Sequence, residues 1–150
     1  MERTLVLLKP DAVARGLVGR VVQRFEDKGL KIVAMKMIML DEKTLEEHYA
    51  HIKDKPFFPG IKEFMMSAPV VAMVLEGEGA IDEVRKLAGP TRPWEADPGT
   101  IRGDFANGLP ANIVHASDSP ESAETEISRF FSPNEIIEWK REIDILFERR

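Results

Sequence analysis

Cysteine is absent from all 150 residues. That excludes a disulfide framework, a thiolate zinc site and a cysteine nucleophile, and makes the cytoplasm the expected location. Long apolar runs are missing too: none approaches the roughly 20 residues a membrane span requires. The opening MERTLVLLKP meets a proline directly after its short apolar segment, too soon for a signal sequence. Nor is there a surplus of positive charge. A formal net charge of −5 argues against a general nucleic-acid binder, yet a few well-placed cations could still hold a small polyanion. Amides are scarce, with three Asn and one Gln, which fits a heat-adapted source; the seven Met argue the other way.

What is present reads as one ordinary soluble domain spanning 1–150, with 43% hydrophobic and 31% charged residues around a single core. Residues 4–8 (TLVLL) form a buried strand that Lys9-Pro10 ends, because a residue before proline prefers extended backbone. Leu17, Val21, Val22 and Phe25 fall at helical spacing between Gly16 and Gly29. Residues 30–40 make a second strand. Asp41 caps a helix with Leu45, Tyr49 and Ile52 on one face, and after the PFFPG break a shorter helix carries Ile61, Phe64 and Met65. Residues 70–75 are a third strand, followed by a helix on Ile81, Val84 and Leu87 that stops at Gly89. Residues 112–115 are a fourth strand. Ser119-Pro120 opens another helix, and Ser132 with Glu135 fits a capping box for a C-terminal one.

This order contains two split βαβ units, which predicts an α/β class fold: a ferredoxin-like α/β sandwich with a four-stranded antiparallel sheet and additional helices. Strands one and three are apolar on both faces, while two crossover helices cover one face only. The extra helices or another subunit must cover the other, and an oligomer is expected. A monomeric mass at micromolar concentration would contradict that expectation. Residues 89–111 hold four Pro and four Gly without apolar period, together with Thr91, Arg92, Trp94 and Arg102. A loop that long reads as functional or as an interface.

Among chemical motifs, GxxxxGK(S/T), GxGxxG and GxSxG are all missing. His48 and His51 sit three apart on a helix, a spacing that metal ligands can use, but without HExxH they read as ordinary surface histidines. His115 closes a strand just before a helix N-terminus. It could be satisfied and idle there, or a neutral imidazole facing an anion that the helix end attracts. Ser117 and Asp118 add hydrogen-bonding groups, and Glu126, on the following helix, is expected within reach. Lys9, Arg85 and Arg102 are either ordinary solvated charges or a phosphate-binding set, and spacing does not decide between these. Phe57 and Phe58 are either core aromatics or a platform for a base, with the core the simpler reading for at least one of them.

Several motifs taken together resemble a known family. NIVHASDS matches the Asn-x-x-His-(Gly/Ala)-Ser-Asp signature of nucleoside diphosphate kinases, and LLKPDAV, RGLVG, HY, PFFPG, PGTIRGDF and SPESAETEI resemble that family's other marks in the right order. The likeness runs from Arg3 to about residue 140. It implies a ping-pong transfer of the γ-phosphate of a nucleoside triphosphate, mainly ATP, to nucleoside diphosphates through a phosphohistidine. By motif, His115 is the nucleophile, supported by Ser117, Glu126, Lys9 and Tyr49. Lys9, Tyr49, Arg85, Thr91, Arg102 and Asn112 fall at positions that bind phosphates or sugar. Phe57 matches the base-stacking aromatic, with Ile61 beside it. Magnesium would arrive on the nucleotide phosphates without a protein cage, and a tetramer or hexamer built from a shared dimer is implied. Pro90 and Arg92 depart from the family pattern, which touches loop stiffness or subunit contacts but not the chemistry. Two rival classes are a phosphohistidine carrier, which needs no nucleotide pocket, and an RNA-binding module, which would display aromatics on its central strands. Strands one and three carry none.

Overall fold

Leu5, Val6, Leu7 and Leu8 are wholly shielded from solvent, so the strand they form must be covered on both faces. That strand is β1 (Glu2–Leu8) in a computed structural model that describes residues 1–149. Along the chain follow α1 (Pro10–Ala14), α2 (Val18–Asp27), β2 (Lys31–Ile38), α3 (Glu42–His48), α4 (Phe58–Met65), β3 (Val70–Gly77), α5 (Ala80–Ala88), α6 (Ile101–Phe105), β4 (Val114–Ala116) and α7 (Pro120–Phe130). The sheet order is β2-β3-β1-β4 and every pairing is antiparallel, which is the expected ferredoxin-like arrangement.

Alternation along β1 and β3 sends side chains to two separate cores. On one face Val6, Leu8, Met73 and Leu75 pack with Val21 and Phe25 of α2 and Val84 of α5. On the other, Leu5, Leu7, Ala72 and Val74 pack with Leu45 of α3, Met65 of α4 and Phe130 of α7. The additional helices therefore cover the second face. Full burial of an anchor such as Phe25 or Leu45 contributes about 2 kcal/mol, which is what docks these short helices on the sheet.

Several boundaries differ from the sequence reading. Lys9 is extended, as its place before proline requires, but Pro10 starts a helix at once, a position where its missing N–H costs nothing. The helix capped by Asp41, whose side chain accepts from Thr44 N at 2.8 Å, ends at His48; Tyr49 is its C-cap and Ile52 lies beyond it. Residues 89–111 are not a plain loop: they hold a 3-10 turn at Pro93–Glu95 and α6. The last strand is shifted to Val114–Ala116, because Ile113 sits at φ 73 and breaks the extended run. The C-terminal α-helix does not form. The capping box of Ser132 and Glu135 is present, but it closes only a 3-10 turn, Pro133–Glu135, and a second such turn follows at Glu142–Phe147. Between them the backbone is claimed by β2: Ile137 N donates to Val33 O at 2.8 Å, beside the bulge in the β2–β3 register. Among the described residues no helix is long and apolar enough to cross a membrane.

Candidate active site

His115 lies on β4 opposite Leu7 of the central strand β1, with its side chain 23% exposed. Its Nε2 is 2.9 Å from Oε1 of Glu126, and the same oxygen accepts from Ser117 Oγ at 2.6 Å. Burial alone would raise the Glu126 carboxyl, but the hydrogen bonds from His115 and Ser117, with the His115 charge, outweigh it and hold the carboxyl well below the usual range. An ionised carboxylate can only accept, so Nε2 must carry the ring proton. The lone pair of the neutral ring is then on Nδ1, which has no hydrogen-bond partner among the described residues. Helix α7 puts Glu126 there: Ser119 caps it by accepting from Ser122 N at 3.1 Å, and Ala123 and Phe130 bury its inner face.

The approach to β4 is clamped. Ile113 is a β-branched residue in the left-handed region, a strain of about 1–3 kcal/mol that persists only where neighbours enforce it. Its N–H donates to Asp11 Oδ2 at 3.1 Å and its carbonyl accepts from Lys9 N at 2.8 Å. The turn Lys9-Pro10-Asp11 thus holds the strained residue from both sides. In the same place Lys9 Nζ donates to Asn112 Oδ1 at 2.7 Å, and Asn112 Nδ2 donates to the Thr91 carbonyl at 2.9 Å. Burial, with the nearby Arg102 charge, pushes the Lys9 amine down to about 8 against the pull of Asp11.

Arg102 is deployed differently from a plain phosphate ligand. It is 8% exposed and donates to three main-chain carbonyls: Asn112 at 3.2 Å, Gly89 at 2.8 Å and Val114 at 2.7 Å. It staples residues 89–111 to β4 and keeps only part of its fork for a ligand. Burial and the Arg85 charge lower it to about 10, so it remains a cation at neutral pH. Gly103 makes this packing possible, since a Cβ there would overlap the Asp97 carbonyl oxygen. Arg85, by contrast, is exposed, and its side chain has no hydrogen bond or ion pair among the described residues.

Tyr49 is half-buried; burial, with the Glu126 charge, pushes its hydroxyl up to about 12. Phe57 precedes α4 with 55% of its surface exposed, Phe58 is core, and Ile61 is half-buried. No hydrogen bond joins Phe57 or Ile61 to the cationic group, so Lys9, Thr91, Arg102 and Asn112 form the bonded set.

The sequence of residues 2–136 matches the family described as nucleoside diphosphate kinase. The chain belongs to that family. A nucleoside diphosphate kinase from Archaeoglobus fulgidus is 57% identical over the whole of both chains, and one from Pyrococcus horikoshii is 53% identical over 99% of this chain and 96% of its own. Among solved structures, a halophilic nucleoside diphosphate kinase from Halobacterium salinarum in complex with CDP superposes at a TM-score of 0.95, with 47% identity and 99% of both chains covered. A transition state mimic of the enzyme from Borrelia burgdorferi, with bound vanadate and ADP, gives 0.91 at 39% identity, covering 97% of this chain and 96% of its own. This nucleoside diphosphate kinase family member is therefore an enzyme, and its chemistry is phosphotransfer on nucleotides.

In this kinase three site residues escape a reading of the sequence. Asp11 is the clamp on Ile113. His48, dismissed as a surface residue, is 8% exposed and lies edge-on to His115, while its neighbour His51 is exposed outside the helix. Arg129 donates to His48 Nδ1 at 2.9 Å. Only the three-residue step between Glu126 and Arg129, one face of α7, could have signalled the last of these. A cavity of about 660 Å³ opens beside these groups, with Glu47, His51, Asp118 and Glu121 on its walls. His48, His115 and Glu126 could offer metal donors within 4.8 Å of one another. Arg129 and Glu126 already engage one nitrogen of each ring, and a guanidinium beside the cluster repels a cation, so the group reads as a hydrogen-bonded network.

Proposed function

We propose that the protein transfers the γ-phosphate of a nucleoside triphosphate, mainly ATP, to nucleoside diphosphates through a phosphohistidine on His115. The observation that carries this reading is the Glu126–His115 bond at Nε2, which leaves Nδ1 as the nucleophilic nitrogen. The Nδ1 lone pair attacks the γ-phosphorus, the bond to the bridging oxygen breaks, and the nucleoside diphosphate leaves with that electron pair. Positive charge that develops on the ring is stabilised by Glu126, whose ionised carboxylate stays at Nε2. A second diphosphate then attacks phosphorus with a terminal oxygen, the N–P bond breaks, and the neutral ring returns. Lys9, Arg85 and the remaining donors of Arg102 offset phosphate charge, Thr91, Asn112 and Tyr49 serve phosphate or sugar, and Phe57 with Ile61 takes the base. Magnesium belongs to the substrate, as the metal complex of the nucleotide.

The test is to incubate the protein with γ-labelled ATP and magnesium, isolate it, and add unlabelled GDP. Acid-labile, alkali-stable label that passes to GTP supports the reading. Label that forms and stays would indicate a carrier, and absence of label would overturn the scheme.

Two further outcomes follow from individual side chains. Phe57→Ala is expected to raise KM about tenfold for every base, since stacking on a phenyl face is worth about 1–3 kcal/mol and ignores base identity. Its exposure means that unfolding should be unchanged. A KM defect confined to one base contradicts this. Lys9 sets a pH limb. Its amine titrates at about 8 in the free protein, so the cation is present below that pH and lost above it. Accordingly kcat/KM should fall as pH rises through about 8, a limb that Lys9→Arg removes; a flat profile up to pH ~9.5 would refute it.

The whole chain acts on this reading as one kinase domain in the cytoplasm, assembled as a tetramer or hexamer, with no membrane or specific nucleic acid as partner. Support for assembly comes from β2, an edge strand on which Met35 and Met37 are 46% and 60% exposed, with Met39 just past its end at 59%. Ile137 and Trp139 occupy the carbonyls of Val33 and Ile32, and beyond them the apolar strand edge is a template for pairing with another chain.

A further inference from the structure

Arg129 is a cation without an acidic partner among the described residues. Among the described residues its side chain makes one hydrogen bond, from Nη1 to Nδ1 of His48 at 2.9 Å. A guanidinium only donates, so Nδ1 of His48 must accept, and the proton of that imidazole sits on Nε2. His48 is enclosed by three rings, all edge-on: His115 with centroids 4.6 Å apart at 82°, Tyr49 at 4.8 Å and 78°, and Phe130 at 5.5 Å and 73°. The charged or titratable groups around it are Arg129 and Glu126 from α7, His115 from β4, Lys9 at the end of β1 and Tyr49 beside it. Burial, with the His115, Arg129 and Lys9 charges, drives its basicity down against Glu126, so His48 stays neutral. Glu126 and Arg129 are three residues apart on α7. One face of that helix therefore holds both rings, Glu126 gripping His115 and Arg129 gripping His48.

We propose that Arg129 is a positioning residue for phosphotransfer: its hydrogen bond fixes the tautomer and tilt of His48, whose ring in turn sets the tilt of the His115 ring. The inference rests on the reading of His115 as nucleophile. Glu126 restrains only the Nε2 end of His115, and the ring can still rotate about that N–H···O direction. In-line attack needs the Nδ1 lone pair aimed at phosphorus within about 10–20°, a restraint that must come from what packs against the ring. His48 is that contact. Its neutrality matters as well, because attack places positive charge on His115 and an imidazolium 4.6 Å away would oppose it.

The experiment compares Arg129→Leu and Arg129→Lys with the wild-type protein. In Arg129→Leu, kcat should fall about tenfold with KM within about twofold, because the side chain acts on the nucleophile and not on the nucleotide. Nitrogen NMR should show the His48 proton on Nε2 in the wild type and shared between Nδ1 and Nε2 in the variant. Loss of the Arg129 charge makes His48 easier to protonate, so the acid limb of kcat should move to higher pH. Arg129→Lys keeps a donor for Nδ1 and should recover most of kcat and the single tautomer. A folded Arg129→Leu with kcat within about twofold and unchanged His48 nitrogens overturns the inference, as does a loss expressed in KM alone. His115→Ala separates the two readings. If it retains turnover, the nucleophile assignment fails; if it is inactive while Arg129→Leu is unimpaired, only the positioning role fails.

Discussion

His115→Ala is expected to lose turnover by about four orders of magnitude or more, while nucleotide affinity stays within a few-fold. The size follows from the role. On the proposed reading the other groups orient and neutralise phosphate: the unprotonated Nδ1 of His48 is occupied by Arg129, and Lys9 is largely a cation at neutral pH. Tyr49 is pushed up to about 12 and Arg102 keeps its proton to about 10, so neither can substitute near neutrality. Affinity should survive, since Lys9, Asn112 and Arg102 are held by contacts that do not include the His115 side chain. The fold should survive too: Ser117 still donates to Glu126, so the carboxylate is not stranded. Turnover and calorimetric binding of a nucleoside diphosphate, measured on one preparation, check both halves. A variant that exchanges phosphate near the wild-type rate would remove His115 from the mechanism.

Arg102→Ala should be the most damaging change to stability among the cationic residues. A phosphate ligand on a loop would be dispensable for folding, but Arg102 satisfies the carbonyls of Gly89, Asn112 and Val114. The Asn112 carbonyl keeps its bond from Val114 N, but leaving the Gly89 and Val114 acceptors unpaired costs about 1–3 kcal/mol each, so a loss of about 4 kcal/mol is expected, or roughly 10 °C in Tm for a chain of this size. Arg102→Lys should rescue little, because one ammonium cannot span three divergent carbonyls. Arg85→Ala is the control. Exposed and unpaired, it should leave Tm unchanged and act only on KM. Thermal unfolding of the three variants beside wild type makes the comparison, and equal Tm values for Arg102→Ala and Arg85→Ala would show that the carbonyl contacts carry no weight.

Arg102 also marks where a reading of the sequence stops. Periodicity and capping are written in adjacent residues, so α2, α3, α5 and α7 and the three long strands were legible to within a few positions. The Asp41 and Ser119 caps formed as read. The same local rules over-reached at Ser132: its capping box formed, but residues 137–139 found partners on β2 and the α-helix had nothing left to propagate. They under-reached at β4, where a left-handed Ile113 has no local signature because Asp11, about a hundred positions away in the chain, stabilises it.

By itself the sequence determined the class of fold, the two-sided core of β1 and β3, and the motif that singles out His115. Each depends on residue type at short, regular spacing, and such spacing maps directly onto a strand or a helix face. The tertiary structure alone decided which nitrogen of His115 is free, what Arg102 binds, and that His48 and Arg129 stand behind His115. His48 and Arg129 are 81 positions apart, and Lys9 and Asn112 are 103. Hydrogen-bond direction and ring contact exist only once β1, α3, β4 and α7 have packed together, and no pattern of neighbouring residues encodes them.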